Sequence, residues 1–212
     1  PECVTSTKSA EHVVLWGDSY AAALYLGLKE QFGEVTQFTA GGCAPIFWDA
    51  QQRPGCQALN ENVMQEIERL KPRAIYLDAN WFTYVGDHQA AQNAVKQIRD
   101  WIPGVRIIMI GNVPRWSKGL PREVLQSAKT FDQELFMPVS QFFELKDSDN
   151  QLGEFAKTQG IEFVSALDLL CKNQDCLAIT MTEKGPRLTS FDYGHLTKAG
   201  SETLARALTA TR

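Results

Sequence analysis

The chain has 212 residues, of which 44% are hydrophobic and 22% charged, with a net charge of -4. That size fits one domain with a sizeable core. No basic stripe is available to neutralise phosphates, which excludes nucleic acid as a partner, and no apolar run approaches the roughly 20 residues that span a bilayer.

In chain order, residues 13–17 (Val-Val-Leu-Trp-Gly) form a short apolar run suited to a buried central strand. An Ala- and Leu-rich helix over Tyr20 to Phe32 is stopped by Gly33. Val35 to Thr39 reads as a second strand, and residues 40–57 as a loop containing Gly41, Gly42, Pro45, Pro54 and Gly55. Ala58 to Leu70 reads as a helix with Leu59, Val63, Ile67 and Leu70 on one face, broken by Pro72. Ala74 to Ala79 is a third strand, followed by a loop over residues 80–84 and a helix from His88 to Trp101. Val105 to Ile110 is the clearest strand, with branched aliphatics throughout, and 111–122 is a loop rich in Pro, Gly and basic residues. Residues 123–146 mix helical and irregular patterns and are expected to contain an inserted segment. Helix 149–159, strand Ile161 to Val164 and a last helix over Lys198 to Thr209 complete the pass. Strands alternating with helices predict an α/β domain in three α/β/α layers, built as a flavodoxin-like, doubly wound parallel sheet of about five strands.

Five cysteines are present: Cys3, Cys43, Cys56, Cys171 and Cys176. Cys43 and Cys56 flank one loop, and Cys171 and Cys176 flank Lys172 to Asp175. Both pairs read as local disulfide staples, which implies an oxidising compartment. The alternative is five reduced core cysteines in a cytosolic protein. Neither pair has C-x2-C spacing or a histidine close in sequence, which argues against zinc. Cys3 is left over. The chain starts at Pro1, which leads us to expect a processed product or a fragment of a longer protein.

The chemistry gathers in two motifs. Gly17-Asp18-Ser19 puts a serine where a strand turns into a helix, beside free backbone N–H groups able to hold a developing oxyanion. Alone, this motif is equally well a helix N-cap. Asp192 to His195 puts an acid and an imidazole three residues apart in a loop before the last helix. Of the three histidines, His12 lies just before the first strand and His88 begins a surface helix. Only His195 has an acid at short spacing in a polar loop. Asp192 can orient His195, which can take the proton of Ser19. Ser19, Gly42 and Asn80 fall just after strands one, two and three, where ligands bind in such sheets. Trp48, Trp81, Phe82, Tyr84 and Trp116 lie in loops near that edge, as sugar-stacking surfaces or as ordinary anchors. Arg115, Lys118 and Arg122 make a small basic cluster, able to meet an anionic glycan or simply solvated.

These motifs resemble the SGNH hydrolase superfamily, also called GDSL esterases and lipases. Gly17-Asp18-Ser19 matches its first block, and Asp192 to His195 its last block, D-x-x-H. Gly42 in Ala40-Gly41-Gly42-Cys43-Ala44-Pro45 matches the second-block glycine, and Asn80 in Asp78-Ala79-Asn80-Trp81 the third-block asparagine, although the glycine and aspartate usual in that block are absent. Tyr20 replaces the Leu or His that often follows the serine. A closer likeness, spanning Trp16 to Gly200, is to SGNH domains fused behind membrane-embedded acyltransferase-3 proteins. In these the second block reads Gly-Cys-x-Pro (Gly42 to Pro45), the third ends in Trp (Trp81), and a cysteine pair (Cys171, Cys176) precedes D-x-x-H.

The resemblance implies Ser19, Asp192 and His195 as catalytic residues, and Ser19, Gly42 and Asn80 as the oxyanion hole. It implies no cofactor and no metal. It also implies a single SGNH-type catalytic domain over 1–212, belonging to a longer protein tethered to the inner membrane on its periplasmic side. With no heptad pattern and no large apolar face in the sequence, a monomer is expected for the isolated domain. Its partners would be an acyl donor, a glycan acceptor and a membrane-embedded acyltransferase domain. The expected reaction is O-acetylation of a cell-surface glycan. The alternatives are a carbohydrate or lipid esterase and a non-catalytic glycan-binding module. No G-x-G-x-x-G or P-loop follows the first strand, which discounts nucleotide binding.

Overall fold

The computed structural model describes residues 12–47, 54–84, 88–127 and 131–210. Trp48 and Cys3 lie outside them. In chain order the elements are β1 (Val13–Gly17), α1 (Ser19–Phe32), β2 (Val35–Thr39), α2 (Cys56–Leu70), β3 (Ala74–Asp78), α3 (Trp81–Tyr84), α4 (His88–Trp101), β4 (Arg106–Ile110) and α5 (Leu120–Ser127). There follow β5 (Leu135–Pro138), α6 (Phe142–Gln159), β6 (Glu162–Val164), α7 (Ala166–Leu170), β7 (Cys171–Lys172), β8 (Asp175–Thr182), β9 (Gly185–Leu188) and α8 (Lys198–Ala210).

A five-stranded parallel sheet runs in the order β2-β1-β3-β4-β6. Every residue of β1 and β3 is buried, as both-faced cover by helices requires. The pleat divides the side chains between two layers. Val14, Trp16, Ile75, Leu77, Ile107 and Met109 meet α2, α4 and α6 on one face. Val13, Leu15, Ala74, Tyr76, Ile108 and Ile110 meet α1, α7 and α8 on the other.

The chain ends meet through α1 and α8. A Cβ on Gly27 would lie 2.1 Å from the Ser201 carbonyl oxygen, so only glycine permits this approach. Ser201 Oγ accepts from Gly27 N–H (2.7 Å) and donates to the Leu24 carbonyl (2.8 Å).

The segment expected to hold an insertion resolves into α5, β5 and the start of α6. The sequence reading missed a second, antiparallel sheet, ordered β5-β8-β7 with β9 also on β8. A third apolar cluster joins it to the rest through Trp116, Leu120, Val124, Leu145, Leu167 and Ile179. Both expected disulfides are present, Cys43–Cys56 and Cys171–Cys176. The second closes the β7–β8 hairpin rather than a free loop.

One expected face of α2 is wrong. Leu59 is among the exposed hydrophobics, and Asn60 is buried in its place. The Asn60 amide donates to the carbonyls of Ala44 and Ile46 (both 2.9 Å) and accepts from Trp16 Nε1 (3.1 Å). With its hydrogen bonds satisfied, a polar side chain can sit in the core.

Candidate active site

The register of the parallel sheet levels Gly17, Thr39 and Asp78. Ser19, Gly42 and Asn80 therefore leave the same carboxyl edge, each within three residues of its own strand's end. Gly17 is needed at the crossing, because a Cβ there would lie 1.7 Å from the Asp78 carbonyl oxygen. Asp18 is the N-cap of α1: its carboxylate accepts from Tyr20 N–H at 2.8 Å. Its other oxygen accepts from Asn80 N–H at 3.0 Å. One carboxylate thus ties the start of the serine helix to the turn after β3. Burial pushes the Asp18 carboxyl above its ordinary value, against the pull of those two N–H donors. Asp78, fully buried beside it, is held well above the ordinary value by burial first and by the Asp18 charge second.

The loop after β2 is a tight turn. Cys43 N–H donates to the Ala40 carbonyl at 3.0 Å, and Gly42 at the third position has φ of 73°. Ala40 N–H donates to Gly17, and the Cys43–Cys56 bridge fixes the far side to α2. Among the described residues, the backbone N–H groups of Ser19 and Gly42 and the side-chain amide of Asn80 have no intramolecular acceptor.

The loop between β9 and α8 carries Asp192 and His195. Thr189 N–H donates to Ala178 on β8, Thr189 Oγ1 donates to the Leu177 carbonyl, and Thr197 N–H donates to Thr189. The antiparallel sheet thereby clamps both ends of the Asp192–His195 loop. Ser190 and Leu196 form a bridge across its neck. The Asp192 carboxylate accepts from Gly194 N–H (2.9 Å), from His195 N–H (2.8 Å) and from His195 Nδ1 (2.7 Å). Burial works to raise the Asp192 carboxyl, but these donors outweigh it and hold it below the ordinary carboxylate value. A carboxylate only accepts, so Nδ1 carries the proton and Nε2 presents its lone pair. Ser19 Oγ lies 2.8 Å from that Nε2, across 176 positions of sequence, and donates to it. Such a row can draw the proton from a hydroxyl while it attacks.

Three rings surround the imidazole: Tyr20 at 4.5 Å between centroids, Phe191 stacked at 5.6 Å and Tyr193 edge-on at 5.7 Å. Burial raises the Tyr20 phenol above its ordinary value, and Arg115 is the strongest influence opposing that rise. Arg115 lies over the rings of Phe82 (5.4 Å) and Tyr193 (5.6 Å). Lys118 is exposed on the adjoining turn and Arg122 in the first turn of α5. Trp81 and Trp116 are buried anchors rather than stacking surfaces, and Trp81 Nε1 donates to the Ile110 carbonyl at 2.7 Å. Phe82 and Tyr84 are half-buried on the core.

A support the sequence did not signal lies behind Asn80. Asn112 Oδ1 accepts from Phe82 N–H at 3.0 Å. Asn112 is itself held by buried Asp149, which accepts from Asn112 N–H (2.7 Å) and from the Ser165 hydroxyl. Nothing in the spacing of residues 80, 112, 149 and 165 announces this network.

A family model described as "SGNH domain (fused to AT3 domains)" matches residues 1–210. No curated protein matches the chain. Among solved structures, the periplasmic domain of a lipopolysaccharide acetyltransferase from Salmonella ser. Paratyphi A is 31% identical, with a TM-score of 0.79, over 99% of this chain and 85% of that one. A protein from Lactobacillus plantarum (14% identity, TM-score 0.61, 94% and 95% covered) shares the fold. So does a carbohydrate acetylesterase from Sinorhizobium meliloti (10% identity, TM-score 0.53, 94% and 97% covered).

Proposed function

This chain belongs to the family of SGNH domains fused to AT3 domains, and on that footing we propose that it transfers an acyl group, most simply acetyl, to a hydroxyl of a cell-surface glycan. The observation that carries the reading is the unbroken row from Asp192 through His195 to Ser19. In the proposed first step His195 Nε2 takes the Ser19 proton as Oγ attacks the carbonyl carbon of the donor ester. The bond to the leaving oxygen then breaks, His195 returns the proton to that oxygen, and Ser19 holds the acyl group as an ester. In the second step the acceptor hydroxyl attacks, gives its proton to His195, and displaces Ser19, which recovers the proton. The negative charge formed on the carbonyl oxygen in each step is held by Ser19 N–H, Gly42 N–H and the Asn80 amide, the three donors without acceptors of their own.

The acyl group is proposed to come from a membrane-embedded acyltransferase domain of the same protein, on the periplasmic side of the inner membrane. Two disulfides fit such an oxidising compartment. Ester hydrolysis is the second reading, favoured by the partial exposure of Ser19, which leaves water a path to an acyl-serine.

The test is turnover of a chromogenic acetyl ester by the native chain and by Ser19→Ala. The variant is expected to lose about 10⁴-fold or more in kcat. Equal rates would remove Ser19 from its role. Adding an oligosaccharide and weighing the products separates transfer from hydrolysis.

A further inference from the structure

Arg115 is a half-buried cation without an anion. Among the described residues Arg69, Arg106, Lys146 and Lys198 have carboxylate partners, and Arg115 has none. Its guanidinium is held instead over the faces of Phe82 and Tyr193. Its backbone is fixed as well, because Trp116 N–H donates to the Tyr193 carbonyl (2.8 Å) and Leu120 N–H to the Asp192 carbonyl (2.9 Å). Tyr193 in turn stands edge-on to the His195 ring, so the cation sits one ring away from the imidazole. A guanidinium already held between aromatic faces loses little further freedom when it binds a planar oxyanion through two parallel N–H groups. Beside it stand two large exposed rings, both packed against the His195 imidazole. Phe191 is 58% exposed while stacked on His195, and Tyr193 is 45% exposed. Faces of this kind suit the C–H surface of a sugar.

We propose that Arg115 binds an oxyanionic substituent, carboxylate or phosphate, on the glycan acceptor, while Phe191 and Tyr193 carry the sugar ring that presents its hydroxyl to the Ser19–His195 pair. The acceptor is thus an acidic sugar, bound by a cation that the net charge of -4 would not suggest. This deepens the reading of the site as an acyl transferase and rests on it for the word acceptor, but the recognition is measurable without chemistry.

The experiment is calorimetric titration of the Ser19→Ala protein with three ligands: a hexuronate trisaccharide, the same trisaccharide with its carboxylates capped as methyl esters, and a phosphorylated oligosaccharide. At least one anionic ligand is expected to bind about tenfold or more tightly than the neutral one, the scale of one charge-assisted hydrogen-bond pair. Comparison of the two anionic ligands identifies which oxyanion the site takes. The preference is expected to vanish in Ser19→Ala/Arg115→Met and to survive in part in Ser19→Ala/Arg115→Lys, which keeps the charge and loses the fork. Equal binding of charged and capped ligands, no binding by any, or an undiminished preference in the Met variant would overturn the proposal. If the Met variant does not fold, undiminished preference in the Lys variant overturns it and a weakened one supports it. Failure of the transferase reading registers elsewhere, as acetyl-ester turnover by the native chain that yields only free acetate when an oligosaccharide is present.

Discussion

Asp192 accepts from two backbone N–H groups of its own loop as well as from the imidazole it orients. Replacing it with Asn leaves an amide that can donate to Nδ1, which puts the imidazole proton on Nε2 and leaves no lone pair there to accept from Ser19. Asp192→Asn is therefore expected to fold and to lose about 10⁴-fold in kcat on an acetyl ester. A loss of tenfold or less would mean that the imidazole keeps its orientation without the carboxylate. Half-buried Asp192 and buried Asp78 are shifted in opposite senses. Asp192 is lowered in the folded state, so its contribution to stability is present above the unfolded carboxylate value of about 3.9 and is lost as pH falls through the lower folded value. Asp78 is raised, so the folded state binds its proton more tightly, and stability falls as pH climbs from about 3.9 toward the folded value. Asp78→Asn is expected to flatten that fall. Urea denaturation between pH 4 and 8 measures it, and an equally steep decline in both proteins would show that Asp78 is not the cause.

At the scale of elements, the site depends on the crossing of α1 and α8, because it carries the serine end of the chain to the histidine end. Gly27→Ala places a methyl group against the Ser201 backbone. It is expected to cost about 1–3 kcal/mol or more in chemical denaturation, with esterase activity falling alongside as His195 shifts from Ser19. An unchanged denaturation midpoint would show that the helices can part without cost. Joint replacement of Cys43 and Cys56 by Ser is expected to lower stability by about 3 kcal/mol, since the bridge closes a 13-residue separation beside the Gly42 turn. The parallel sheet was legible because its strands are continuous apolar runs and each turns at once into a helix, as at Gly17-Asp18-Ser19. The antiparallel sheet was not. Cys176 to Ile179 in β8 form an apolar run, but its partners β7, β5 and β9 are two to four residues long, too short for a period to show. Leu59 and Asn60 exchanged places because the sequence shows polarity and not the carbonyls that satisfy a buried amide. Ser19, Asp192 and His195 were legible because two short motifs carry them, whereas the Asn112–Asp149 brace joins single residues with no motif at all.

For the whole molecule, the two faces of one sheet and the side sheet divide the work. The parallel sheet presents Ser19, Gly42 and Asn80 along one edge, and the antiparallel sheet holds the Asp192–His195 loop over it. One bridge fixes the turn that holds Gly42 to α2, and the other closes the β7–β8 hairpin of the sheet that holds the Asp192–His195 loop. Alkylation before reduction is expected to spare Cys43, Cys56, Cys171 and Cys176, and ready labelling of all four would place the protein in a reducing compartment. The central claim is that the acyl group rests on Ser19 between donor and acceptor. The most direct measurement is mass spectrometry of peptides from the chain quenched in acid during turnover of an activated acetyl ester. An acetyl group is expected on the peptide that contains Ser19, absent when an acceptor in excess is added before the quench. An enzyme that turns over the ester with Ser19 unmodified under every quench, or with the acetyl group bound at another side chain, would contradict it.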